Sequence, residues 1–356
     1  MSEAGRAHPY DRLEKADFQD WYRERDRREN ARQGHFHRNV PTGDPPTDLH
    51  FPHTLLQCHR KRRYEEAGAP AETVPPHGRF WMGSRLESEL VLPFLADRVA
   101  APDESVTAGI GFEAPVETDA GRLRLRGRTD PVITTADGTV LLPTEVKTKR
   151  NVDGGITPGE HHLAQLHAYM QGLSATRDRP VSEAALVYVS RADLAVRTFR
   201  VTFDAAFWQE RVLPWLRRQT TYRETGDLPP ANPEQGWECD RCPFRNRCGE
   251  GRHPAGDVGP VGFLPNLQYP RAAVMDHLRA APGTRLTPTL ARTYPELAAS
   301  HSVADWHCPV CGSRYEPLDV DSGPGTEEAP SCPACRASGD FVTLEGPSPA
   351  GSSTTS

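Results

Sequence analysis

Eight cysteines constrain this chain more than any other feature, because they fall in groups of one, three and four. Cys58 stands alone. Cys239, Cys242 and Cys248 follow far downstream, and Cys308, Cys311, Cys332 and Cys335 close the set. In a reducing compartment such groups bind metal more often than they form disulfides. No cysteine is left over, which supports two sites of four ligands each. Three clustered thiolates need a fourth, and Cys58 is the only candidate outside the terminal set. Zinc accepts four sulfurs and so does an iron–sulfur cluster; the spacing fits no common Cys2His2 finger. In the terminal set, Cys308-Pro-Val-Cys311 and Cys332-Pro-Ala-Cys335 are two knuckles separated by twenty residues. That is a zinc-ribbon signature, with a thiol redox pair as the competing reading. So short a segment has little core of its own, and Trp306 and Tyr315 beside the knuckles are expected to pack on it.

The 356 residues suffice for two or three domains. A mean hydropathy of -0.63 implies linker or tail segments besides the core. No apolar run is long enough for a membrane span, and the charged start MSEAGRAHPYDRLEK lacks the core of a secretory signal. A soluble cytoplasmic protein without a membrane partner is therefore expected. The net charge of -6 argues mildly against a nucleic-acid binder. Local clustering counts for more, and Arg60, Lys61, Arg62 and Arg63 form the densest basic run.

Five segments are expected. Residues 1–45 form a charged, partly helical extension with Leu13, Phe18 and Trp21 as weak anchors; 46–250 form the main domain. Residues 251–304 are a linker with two short helices, 305–345 the ribbon and 346–356 a disordered tail. In the main domain, apolar spacing at Leu86, Leu90, Phe94 and Leu95 predicts a helix, and RLRLRGRTDPVI alternates as a strand does. Asp137-Gly138 is a hairpin turn leading into VLLPTEVKTK. A helix over GEHHLAQLHAYMQGLS, two strands and a helix that tolerates Pro214 complete an α/β pattern.

Glu145 and Lys147 share one face of their strand, and a hairpin can set Asp130 beside Glu145. Two carboxylates held together repel, and a divalent cation such as Mg²⁺ or Mn²⁺ removes that penalty. Lys147 then has a use beside a phosphate or an attacking water. The bland alternative is a hairpin with a surface salt bridge. Against it stand Glu87 on the preceding helix and Gln165 and Tyr169, one turn apart on the next. No G-x-x-x-x-G-K-[ST] loop is present, so nucleotide hydrolysis is not indicated.

In this order the motifs resemble the PD-(D/E)XK nuclease superfamily, in its RecB-like branch, over residues from about 50 to 250. The matching residues are Asp130-Pro131, Glu145-Val146-Lys147 and Gln165-x-x-x-Tyr169. The resemblance implies a restriction-endonuclease-like mixed central sheet flanked by helices. It implies Asp130, Glu145 and the Val146 carbonyl as metal ligands and Lys147 as the catalytic lysine. It assigns Gln165 and Tyr169 to the active site or to DNA. The branch usually carries G-x-x-x-H in its first helix, with the histidine on the metal. Here Gly83-Ser84-Arg85 leads to Leu86 and then Glu87. With Leu86 in the histidine's place that ligand is missing, Glu87 is the best substitute and Glu89 the second. His161, His162 and His167 lie near the Gln165–Tyr169 helix; His161 and His162 are expected at a solvated helix start, with an approach to substrate as the alternative.

One cysteine before the core and three after it is also the pattern of the iron–sulfur members of this branch. The resemblance therefore implies a [4Fe-4S] cluster on Cys58, Cys239, Cys242 and Cys248, stapling the two ends of the core together. The implied function is a Mg²⁺- or Mn²⁺-dependent DNA nuclease, an exonuclease similar to that of CRISPR spacer acquisition. A stand-alone repair nuclease is the rival, and a non-cutting DNA-binding scaffold the alternative of another class. Expected partners are DNA, single-stranded or with exposed ends, and CRISPR integration proteins or a repair helicase. Arg60 to Arg63, together with Arg124, Arg126 and Arg128, are candidate phosphate contacts.

Overall fold

The alternating run that begins at Gly121 does not pass through Pro131 as one strand. In the computed structural model, which describes residues 13, 18–32, 45–119, 121–177, 179–317, 319–320 and 329–347, it stops at Arg128. A new strand starts at Val132 in a different sheet. Proline has no N–H for a ladder, so a break at Pro131 is the economical place for the chain to change sheets. The break is clamped from below: Thr129 N–H donates to Ile110 at 3.1 Å, and Ile110 N–H donates to Thr129 Oγ1 at 2.9 Å. Gly109 closes the clamp with φ +140, and a Cβ there would strike the Thr129 carbonyl. The sequence reading of one strand through residues 122–133, with Asp130 near its end, is thus corrected. Asp130 sits in the gap between two strands.

The chain divides into two units. One comprises Met1–Asp44, Glu66–Val74 and Val258–Ser356; the other comprises Pro45–Glu65 and Pro75–Asp257. In the first unit, α1 (Phe18–Arg32) carries its own pairs, such as Arg28 with Glu24 at 3.1 Å. Leu13, Phe18 and Trp21 are exposed, so they do not anchor it as expected.

The second unit holds β1 (Leu49–His50), α2 (His59–Glu66, its last residue beyond the unit boundary) and α3 (His77–Leu86). From α3 the helix runs on through π turns Glu87–Val91 and Leu95–Val99, with one α turn, Leu92–Phe94, between them. The wider turns rotate the apolar stripe. Val91 and Leu95 are buried, whereas Leu90 and Phe94, expected inside, are exposed.

Next come β2 (Glu104–Thr107), β3 (Gly111–Thr118), β4 (Gly121–Arg128), β5 (Val132–Thr135) and β6 (Val140–Lys149). They are followed by α4 (Glu160–Thr176), β7 (Glu183–Ser190), β8 (Val196–Thr202) and α5 (Leu213–Thr225). Instead of one central sheet there are two. One has the order β1-β4-β3; the other is the mixed five-stranded sheet β2-β5-β6-β7-β8. In the latter only β6 and β7 are parallel, with Glu145 opposite Leu186 and Lys147 opposite Tyr188. A parallel pair needs a crossover, and α4 supplies it.

Helix α4 contacts β3 and β4 on one side and β6 and β7 on the other, so it runs between the sheets. Its buried residues extend around the helix, including Ala164, Leu166, Ala168, Tyr169, Met170 and Leu173. At Gly172 the Phe112 ring fills the space a Cβ would need. The opposite face of the five-stranded sheet packs Val146, Val187 and Val189 against Val91 and Leu95. Alternation therefore turns Glu145 and Lys147 toward α4.

In the first unit, α6 (Arg271–Ala280), α7 (Pro288–Thr293) and α8 (Pro295–Ala298) surround a core with Phe263, Leu264, Tyr269, Val274 and Leu290. Three helices stand where two were expected, because Tyr294-Pro295 breaks the second run. Strands β9 (Trp306–His307) and β10 (Arg314–Tyr315) form a small antiparallel pair, followed by α9 (Pro333–Ala337). Trp306 is buried among the terminal cysteines. The expected disordered tail falls beyond residue 347, outside the described residues. No helix among the described residues is long and apolar enough to cross a membrane.

Candidate active site

Asp130 is placed by the break before β5. Its Oδ2 accepts the Val146 N–H at 2.7 Å, which locks the carboxylate onto the middle of β6. Glu145 lies one residue earlier on β6 and is only 1% exposed in its side chain. Its Oε1 pairs with the Lys147 ammonium, while its Oε2 is buried without a hydrogen-bond partner. From α4, Gln165 Nε2 donates to the Tyr169 hydroxyl at 2.7 Å, and both residues are buried. Glu87, at the start of the first π turn, completes the acidic group.

The electrostatics show that these residues share one field. Burial first, then the charges of Glu145 and Glu87, hold Asp130 well above the ordinary carboxylate range; the Val146 N–H and Lys147 offset part of this. Burial disfavours the Lys147 charge, but Glu145, Asp130 and Glu87 outweigh it and the ammonium is held above its usual value. Tyr169 is pushed well above the phenol range by burial and then by Glu145 and Asp130, so it stays a neutral donor. Three carboxylates around one lysine leave uncompensated negative charge, and an orphaned buried carboxylate oxygen costs free energy. A divalent cation is the chemical answer to both, and the oxygen-rich donor set fits Mg²⁺ or Mn²⁺.

The histidine question resolves by counting. The fourth residue after Gly83 is Glu87, one helical turn away; Leu86 is one position short. The position of the missing histidine is therefore occupied by a carboxylate. Glu89, the second substitute, is exposed and bonded to Arg85 at 2.7 Å, away from this group.

The proposed phosphate contacts fare differently. Arg60 is buried, and its guanidinium donates to Pro229 O, to Cys248 O at 2.9 Å and to Asp257. It ties the cysteine loop together and has no face left for a phosphate. Arg62 pairs with Glu65, Lys61 lies 3.8 Å from the same carboxylate, and Arg63 is half-buried. Arg124 bonds Asp48 and Glu113, and Arg126 bonds Glu113, so this face is an ion-pair ladder across β3 and β4. Arg128 is exposed.

His162 is buried, contrary to the expected solvated helix start, and His167 is buried as well. His162 Nδ1 lies 2.8 Å from the Tyr188 hydroxyl, and burial takes its pKa down to about 2. Sequence reading passed over Lys149, Tyr188 and Trp237. Lys149 sits 4.6 Å over the Tyr188 ring, two residues beyond Lys147 on the same face. The period-two continuation of E-x-K to E-x-K-x-K was the available signal.

Cys58, Cys239, Cys242 and Cys248 line one recess with Arg60, Lys61, Tyr64, Glu238 and others. Cys58 N–H donates to Glu238 Oε1 at 3.1 Å, joining the lone cysteine to the distant loop. Tyr64 is fully buried, 5.4 Å from the Phe244 ring. Burial raises all four thiols, Cys242 to about 12, so thiolates here need a cationic partner. The terminal four differ. Cys308 and Cys335 sulfurs are 3.7 Å apart, Cys311 and Cys332 sulfurs 3.6 Å apart, and all four lie within 4.8 Å of one another. A tetrahedral ion with bonds of about 2.3 Å sets sulfurs roughly 3.8 Å apart, so this group can hold one metal ion.

Among solved structures, SSO0001 is similar at a TM-score of 0.43 and 17% identity, over 67% of this chain and 99% of its own. No curated protein sequence matches the chain. The family model of the PD-(D/E)XK nuclease superfamily matches residues 13–249, a span that includes Glu87, Asp130, Glu145, Lys147, Gln165 and Tyr169. The chain belongs to the PD-(D/E)XK nuclease superfamily.

Proposed function

We propose that this chain is a Mg²⁺- or Mn²⁺-dependent DNA nuclease whose cation is held by Glu87, Asp130, Glu145 and the Val146 carbonyl. The observation that carries the reading is the Glu145 carboxylate, buried with Oε2 unbonded beside Asp130 and Lys147. A strand residue sends its N–H and C=O toward the same edge, so the Val146 carbonyl faces the side on which Asp130 holds its N–H. When bound, the metal lowers the pKa of a water and offsets charge on a phosphate. Lys147, charged at neutral pH, orients that water or faces the phosphate. Tyr169 remains a neutral donor aimed into the same group, positioned by Gln165.

An exonuclease acting on single-stranded DNA or exposed ends, similar to the CRISPR spacer-acquisition enzyme, is the preferred form. A stand-alone repair nuclease uses the same chemistry, with a helicase as partner in place of CRISPR integration proteins. The first four cysteines would hold a [4Fe-4S] cluster and the terminal four a zinc ion; iron and sulfide assays on protein purified without oxygen test this. Placing Glu87 at the histidine position removes the main support for a non-cutting scaffold.

The test is purified protein with Mn²⁺ or Mg²⁺ on end-labelled single- and double-stranded DNA. Lys147→Ala and Glu145→Gln should each lose about 100-fold or more. A wild type that cuts no better than Lys147→Ala defeats the enzyme reading.

A further inference from the structure

Trp237 is an anomaly in the loop that carries the cysteines. Its indole is 49% exposed, although the residues on either side of it are pinned. Gln235 and Glu238 cap each other across the turn Gly236–Arg241, and Glu238 also accepts the Cys58 N–H. Gln235 Nε2 further donates to Glu160 Oε2 at 3.2 Å, fastening the loop to the start of α4. An exposed aromatic ring on a fixed turn is preorganised, because little side-chain or loop freedom remains to be lost on binding.

The ring is also not isolated. It lies 5.5 Å from His161, whose ring is 3.9 Å from His162. His162 meets Tyr188, and Tyr188 lies opposite Lys147 in the β6–β7 register. A continuous row of rings thus leads from the Lys147 site to an exposed indole. Cations accompany the row. Lys149 covers the Tyr188 ring and Arg241 is exposed on the turn of Trp237. Neither makes an ion pair with another described residue, in contrast to Arg124 and Arg126 of β4. Unpaired cations beside an exposed indole suit a ligand with alternating phosphates and flat bases.

We infer that Trp237 is a base-stacking ledge for single-stranded DNA, with Lys149 and Arg241 contacting the adjacent phosphates as the strand approaches Lys147. The inference rests on the reading of the Glu145–Lys147 group as a phosphodiester site. A paired duplex hides its base faces, so the ledge favours unpaired strands. Stacking is indifferent to base identity, so the preference is for strandedness and not for sequence.

The test is equilibrium binding of a short single-stranded oligonucleotide, and of a blunt duplex of the same sequence, in the non-cutting Glu145→Gln background. Trp237→Ala should weaken single-strand binding about tenfold and leave duplex binding within about twofold. Trp237→Phe should retain most single-strand affinity. Lys149→Gln should weaken both and lower the salt slope by about one. An unchanged single-strand affinity in Trp237→Ala, or an equal loss for both ligands, overturns the ledge. If Trp237→Ala fails to fold, indole quenching decides. Single-stranded DNA should quench wild-type fluorescence more than that of Trp237→Phe, and an equal quench overturns the inference. The two readings fail separately: binding through Trp237 without cutting sinks only the nuclease, and cutting unaffected by Trp237→Ala sinks only the ledge.

Discussion

The two four-cysteine groups have the same donors and opposite geometry. The terminal sulfurs are drawn within 4.8 Å of one another, three of the four residues buried, around a two-stranded ribbon. No three of the sulfurs of Cys58, Cys239, Cys242 and Cys248 come so close; these residues are half-buried around an open recess. Spacing explains the contrast. Two matched C-P-x-C knuckles fold back onto one point. A lone cysteine entering α2 must instead meet a loop from the far side of the domain. The first arrangement can hold a single ion; the second is the one for which a polynuclear cluster is proposed above. The first closes a short ribbon. A group bound by the second would close a loop that contains every strand of its unit except β1, and on the analogy of a long disulfide loop such a closure is worth several kcal/mol, on the order of 4 to 5.

The comparison breaks if the two groups respond alike. The largest effect is expected from Cys58→Ala, which should lose iron and unfold the unit of Pro45–Glu65 and Pro75–Asp257 while zinc stays bound. Cys308→Ala should do the converse, losing zinc and keeping iron. Metal analysis with limited proteolysis reads both, and iron loss in Cys308→Ala would contradict the division. Lys147→Ala should reduce cleavage about 100-fold or more with both metals retained, which separates chemistry from assembly. A smaller effect is expected from Gly172→Ala, which drives a methyl group into the Phe112 ring. It should destabilise the same domain by about 1–3 kcal/mol in denaturant titrations without moving the zinc site.

The effect that is mildest per step, taken one pH unit at a time, concerns protonation. His50 donates Nε2–H to Thr220 Oγ1 at 2.8 Å, since the Thr220 hydroxyl is already given to Leu216 O. Burial, followed by Arg223, takes its pKa down to about 3. The folded state therefore holds His50 neutral while the unfolded chain takes up a proton below about pH 6.5. Stability should fall as pH drops through the window from 6.5 toward 3, by up to about 1.4 kcal/mol per unit for this one residue. His50→Gln should flatten that slope in thermal melts, and an unaltered slope would remove His50 from the account.

Much of the site was legible because its residues obey short-range rules. Period two put Glu145 and Lys147 on one face, and a four-residue step put Gln165 and Tyr169 on another. The facing of these pairs across α4 and β6 follows once the crossover closes. What the sequence concealed depends on long-range packing. Nothing local marks Arg60 as buried, since its partners Pro229, Cys248 and Asp257 lie far downstream. The π turns that bury Val91 in place of Leu90 break the simple helical period. Pro131 was visible in the sequence, but its consequence, a change of sheet, depends on Thr129 and Gly109.

The placement of α4 between β6 and β7 has a consequence for the order in which the parts of the candidate site appear along the chain. During synthesis Asp130, Glu145 and Lys147 emerge before α4, and α4 before β7. The strand carrying Glu145 and Lys147 is paired on its second edge by β7, which follows the crossover helix in the chain. A chain halted short of residue 190 holds every acidic residue of the site but lacks the sheet that aligns them. The crossover thus makes the completed site depend on residues encoded well downstream of the acidic ones that it serves.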